Sequence, residues 1–153
     1  MAHNPVNHPL RPLYRALGFL AGAYLVVFGI VGLIQTSGKS FTGNTGVRVL
    51  GQQSNLLWSI IVLVLGAIVL LTTAVGRNLD AQADKFIGWA LLVLGSYELA
   101  TSRTDATFFG FSIATVVVTY LVGLILITVS LYSTVAPPAQ AGAPRQVREG
   151  HPA

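Results

Sequence analysis

Apolar residues in this chain fall into long uninterrupted runs, and nearly every charge lies between them. Residues 16–34, 56–75 and 113–132 contain no Asp, Glu, Lys or Arg, and a shorter run, 86–100, contains only Glu98. The runs show neither the alternation of a half-buried strand nor the polar stripe of a surface helix. A helix rises about 1.5 Å per residue, so stretches of this length match a hydrocarbon layer about 30 Å thick. The pattern predicts four membrane-crossing helices over about 16–34, 56–75, 86–102 and 112–133. The expected fold class is all-α: a polytopic membrane protein, an antiparallel four-transmembrane-helix bundle over 16–135, with a cytoplasmic head, 1–15, and a disordered cytoplasmic tail, 136–153. A transmembrane β-barrel would need shorter segments of alternating polarity.

The punctuation between runs fits this plan. Pro12 is tolerated in a first helical turn, Asn55 is a good cap for the second helix, and Gly76-Arg77 is a stop signal. The connection from Arg77 to Lys85, carrying Asp80 and Asp84, is short enough to force an antiparallel hairpin. Pro137-Pro138 ends any helix before the tail. In the polar segment 35–55, Phe41, Val47 and Val49 around Gly43-Asn44-Thr45-Gly46 form either a small hairpin or an irregular surface loop. A basic head before an apolar run has the order of a signal peptide, but the run is long and residues 34–38 lack the small-residue cleavage pattern, so an uncleaved first span is expected.

Four crossings put both termini on one side. Arg11, Arg15, Arg77, Lys85, Arg145 and Arg148 share that side, against Lys39, Arg48 and Arg103 on the other, so the positive-inside rule makes the termini cytoplasmic. Tyr14, Trp58, Trp89 and Tyr132 near the span ends are candidate interfacial anchors. Leu65-Gly66-Ala67-Ile68-Val69-Leu70 is similar to Val122-Gly123-Leu124-Ile125-Leu126-Ile127, a faint sign of a two-hairpin repeat.

Composition narrows the chemistry. Only 9% of residues are charged and 53% are hydrophobic, whereas a soluble domain is about 25% charged. The chain has no cysteine, so disulfides, thiolate metal sites and iron–sulfur clusters are excluded. His3, His8 and His151 lie in the polar ends and Met1 is the only methionine, so no haem ligand sits within a run and no cofactor or metal is expected. The net charge of +4 is scattered, which argues against nucleic acid. The expected partner is the lipid bilayer, followed by a second copy of the chain or another membrane protein.

Few residues are candidates for a site. Gly18 and Gly22 have the GxxxG spacing and Gly29 continues their stripe, while Gly88 and Gly95 show the same heptad interval in the third span. Small residues let helices approach closely in lipid, so these glycines are expected to pack the bundle, Gly88 and Gly95 as partners of the first stripe, or else to form an oligomer face. Glu98 is the one ionisable side chain within a span, with Thr115 and Arg103 as expected partners. It is either a proton-titrating or cation-binding carboxylate, or a hydrated residue where a short span thins the bilayer. No nucleophile elbow, phosphate loop, metal spacing or catalytic acid pair is present, so the chain is not expected to be an enzyme.

The segments Asn7-His8-Pro9-Leu10-Arg11-Pro12-Leu13-Tyr14-Arg15, Gly76-Arg77-Asn78, and Thr104-Asp105-Ala106-Thr107-Phe108 leading into Phe111-Ser112-Ile113-Ala114-Thr115-Val116 carry a further signal. Through them the chain, from about Asn7 to Pro138, resembles a family of small four-helix integral membrane proteins of unknown function found mainly in actinobacteria. The resemblance implies this topology in a bacterial plasma membrane. Many members carry histidines in their even-numbered spans; this chain has none there, so no imidazole role is implied. The expected function is that of an accessory or interaction protein, with a proton-coupled oligomeric transporter using Glu98 as the alternative.

Overall fold

A computed structural model describes residues 6–137. The expectation of an unfolded tail falls almost entirely on residues outside that range. Among the described residues there are four helices: α1 (Arg11–Thr36), α2 (Leu56–Val75), α3 (Leu79–Thr101) and α4 (Ile113–Tyr132). Three of them, α1, α2 and α4, are long and apolar enough to cross a membrane.

Local chemistry sets each boundary. Pro12 sits in the first turn of α1, where its missing N–H is no loss. The Asn55 side chain accepts from the Trp58 N–H at the start of α2, and Ser112 accepts from Thr115 in the same way at the start of α4. The turn between α2 and α3 is tighter than expected. Gly76, Arg77 and Asn78 all adopt positive φ, so three residues reverse the chain, and α3 begins at Leu79, seven residues before the predicted span. Leu79, Ala81 and Gln82 favour helix, and Asp80 is an acid in the first turn, where the helix dipole welcomes it.

The only strands among the described residues are β1 (Arg48–Val49) and β2 (Gln52–Gln53), paired antiparallel. Their apex is Leu50-Gly51, both at positive φ, the twist that a two-residue hairpin needs. The hairpin is therefore displaced from the Gly43–Gly46 stretch, which forms irregular loop.

Helix ends alternate between the two ends of the molecule. At the end where the described residues begin and finish, Arg11 Nε donates to the Ser133 carbonyl (2.8 Å) and Asn78 Nδ2 to the Val135 carbonyl (2.9 Å). Asn7 Nδ2 donates to the Ala136 carbonyl (2.8 Å), so part of the head is tied down rather than free. The other end gathers loops 37–54 and 102–112. Helix α1 packs on α2, α3 packs on α4, and the two hairpins meet along α1–α4 and α2–α3.

Each hairpin is closed through glycine. A Cβ on Gly66 would lie 2.8 Å from the Gly22 carbonyl oxygen, and a Cβ on Gly88 would lie 2.7 Å from that of Gly123. The seams thus run within hairpins: Gly22 and Gly29 face α2, Gly88 and Gly95 face α4, and Gly18 faces Val129 of α4 and Asp84 of α3. Gly88 and Gly95 are not partners of the α1 stripe, because backbones this close leave room only for the sequence neighbour. The register repeats: Gly22 and Gly88 are 66 residues apart, as are Gly29 and Gly95, while their contacts Gly66 and Gly123 are 57 apart, as are Leu63 and Tyr120 and the caps Asn55 and Ser112. The faint sequence repeat is a repeat of packing geometry, with both hairpins running in the same sense.

Replacing Gly66 or Gly88 with Val is expected to force the hairpin apart and cost about 1–3 kcal/mol. Denaturant-titrated unfolding in detergent checks this, and wild-type stability in both variants would contradict the seam.

Candidate functional site

Helix α3 carries the chemistry. Its buried positions include Asp80, Asp84, Ile87, Gly88, Leu91, Gly95 and Glu98, the spacing of one helical stripe. All three carboxylates therefore enter the bundle, and none is more than 1% exposed. A carboxylate taken out of water must receive donors, a cation or a proton.

Glu98 receives donors. Its Oε1 accepts from the Phe108 and Phe109 N–H groups (2.9 and 3.0 Å), and its Oε2 accepts from Thr107 Oγ1 (2.6 Å) and the Phe111 N–H (3.3 Å). The partners differ from those expected. Thr115 instead donates to the Gln53 carbonyl (3.0 Å), and Arg103 is exposed and makes no ion pair with Glu98. The physical reason is reach: loop 107–111 turns back over α3 and presents its own N–H groups at closer range than either side chain. Nor is Glu98 a hydrated interfacial residue, being fully buried.

The loop so held is a lid. It sets Phe109 and Phe111 against Trp58, with ring centroids 5.4 and 4.6 Å away. Trp58, expected at the interface, is 2% exposed and belongs to the core. Asn55 joins the lid to the other loop, its Nδ2 donating to the carbonyls of Gly43 (3.0 Å) and Phe108 (2.9 Å). Below it, Gln52 Nε2 donates to the Tyr24 hydroxyl. These two residues help to line a central cavity of about 10 Å³, with Phe28, Trp58 and Leu91 among its walls, which is space for a single water.

The opposite end holds the other two acids. Asp80 Oδ2 lies 3.3 Å from Arg15 Nε and 3.8 Å from Arg11 Nη2. Both guanidiniums also reach helix C-termini: Arg15 donates to the Thr73 carbonyl of α2, and Arg11 to the Ser133 carbonyl after α4. Cations belong there, where the last carbonyls carry the negative end of the dipole. This cluster ties α1 to the three other helices. Above it, Tyr14 and Tyr132 stack at 4.8 Å, with His8 edge-on to both.

Asp84, one turn on from Asp80, has no such partner. Its Oδ2 is 3.3 Å from where a Cβ on Gly18 would stand, and neither oxygen has a hydrogen-bond partner among the described residues. In the sequence Asp80 and Asp84 read as part of the short connection from Arg77 to Lys85 and not as candidate site residues. The signal available was the stripe itself, since stepping back from Glu98 through Gly95, Leu91 and Ile87 by threes and fours lands on Asp84 and Asp80.

No family model, curated protein or solved structure matches the chain.

Glu98→Gln would keep one acceptor oxygen but turn an amide donor toward a backbone N–H. Each buried donor left unsatisfied costs about 1–3 kcal/mol, so a loss in that range is expected, with faster amide exchange at Phe108, Phe109 and Phe111. Hydrogen-exchange mass spectrometry reads it; unchanged protection would show that the carboxylate does not hold the lid.

Proposed function

We propose that this chain is a small integral membrane protein of the bacterial plasma membrane, related to the actinobacterial family it resembles, with all four helices in the bilayer and an accessory or interaction role rather than catalysis. The observation that carries this reading is the outer surface. Ile34 on α1, Leu71 on α2 and Ile113 on α4 are 65–71% exposed, an apolar coat that water would not tolerate on a monomer. Helix α3 supports a fourth crossing despite its charges. Phe86, Trp89, Val93 and Tyr97 give it an apolar outward face past the exposed Gln82 and Lys85, while Asp80, Asp84 and Glu98 point inward, so the carboxylates are kept from lipid. Both termini are assigned to the cytoplasm on the distribution of arginine and lysine.

The carrier alternative assigned proton exchange to Glu98. Four hydrogen bonds hold that carboxylate, and a transport cycle through it would have to break them and lift the lid. The accessory reading requires no such cost.

Purification in lipid nanodiscs followed by native mass spectrometry tests the proposal, with a stoichiometric second membrane protein, or a second copy of this chain, as the expected result. A folded, monodisperse chain in surfactant-free buffer would overturn the membrane assignment. A pH-dependent solute flux in proteoliposomes that Glu98→Gln abolishes would replace the accessory role with the carrier. A reporter fused after Ala153 is expected to be active only on the cytoplasmic side.

A further inference from the structure

We propose that Asp84 is a proton-binding site, a neutral carboxylic acid held at the end of the bundle where Arg11, Arg15 and Asp80 cluster. Three observations meet there. First, Asp84 is fully buried and neither oxygen is hydrogen-bonded among the described residues. Second, every buried side-chain polar atom without such a partner among the described residues belongs to one of five residues at this end: Arg15 Nε, Thr73 Oγ1, both oxygens of Asp80, both of Asp84, and Ser133 Oγ. Arg15 Nε and Asp80 Oδ2 at least face each other as an ion pair; the others mark places where a proton, a water or an ion completes the structure, and they are gathered rather than scattered. Third, the cations are already committed. Arg11 and Arg15 both lie within 4 Å of Asp80 Oδ2 and donate to carbonyls of Ser133 and Thr73, so Asp80 takes the positive charge and Asp84 has none.

The groups facing Asp84 sharpen the choice of ligand. Helix α1 presents Gly18, with Arg11 and Arg15 toward Asp80; α4 presents Val129, whose Cγ1 shares the Gly18 contact; α3 itself contributes Asp80, one turn back; and on α2 the Thr73 carbonyl accepts from Arg15. Tyr14 and Tyr132 are stacked with His8 edge-on to both, and Arg77 and Lys85 are exposed. No third acidic or imidazole side chain joins the two aspartates among the described residues, and two guanidiniums already stand beside Asp80, so a metal cation would be repelled while lacking ligands. A proton needs only one oxygen. It removes the charge whose burial is costly and supplies a donor for a neighbouring oxygen or an ordered water. The site does not depend on the accessory role, since a buried acid of this kind serves a packing subunit or a carrier equally.

Infrared difference spectroscopy of the full chain in lipid vesicles tests the assignment. At neutral pH the wild type should show the C=O stretch of a protonated carboxyl, shifted in heavy water and lost on alkaline titration. D84N should lack that band and E98Q should keep it. The absence of the band in the wild type, its persistence in D84N, or its displacement by sodium or calcium at constant pH would each overturn the proposal. The wild-type titration decides the question even if D84N does not fold.

Discussion

Removing a carboxylate from water is the constraint on which the rest of this structure turns. Three acids lie on the inner stripe of α3, and the fold answers each differently. Glu98 is surrounded by donors from a returning loop, Asp80 by two guanidiniums, and Asp84, beside Gly18, has neither hydrogen-bond donor nor ion-pair partner among the described residues. Donors organise a loop, cations join helices, and a carboxyl without either is left to a proton. The two ends of the bundle differ for this reason. One is sealed by Phe109 and Phe111 over Trp58, the other is polar and tied to the chain's first described residues.

Close backbone approach makes those inner positions tolerable. In lipid, apolar side chains gain little by leaving the solvent, so helix association relies on packing and on hydrogen bonds. Gly22 against Gly66 and Gly88 against Gly123 bring each hairpin to backbone contact. The same register in both hairpins places α3 where α1 stands in the first pair. It also explains how α3 holds its charges: the stripe that carries glycine on α1 carries acids at both ends of α3, facing the interior rather than the outer surface.

Much of this architecture is legible without coordinates. Helix existence and type follow from runs too long and too uniformly apolar for anything else, and the caps at Asn55 and Gly76 are recognisable because few residue types satisfy helix-end groups. Helix α3 begins seven residues before the apolar run because hydropathy marks an apolar stretch, not a helix start; Asp80 and Asp84 lower the hydropathy of a segment that helix propensity and the dipole hold helical. Trp58 lies near a span end yet faces the core, because position along a helix does not set which way a ring points.

The chain itself thus determined that four helices form, that their outer faces are apolar and that glycines pack them, since these depend on local periodicity and on the solvent each residue type tolerates. Only the tertiary structure decided which glycine meets which, that loop 107–111 rather than Thr115 or Arg103 satisfies Glu98, and that Asp84 lies beside Gly18 with no cation of its own. Such pairings depend on the relative placement of segments far apart in sequence, and the energies that choose among them come from contact geometry, which no linear pattern encodes.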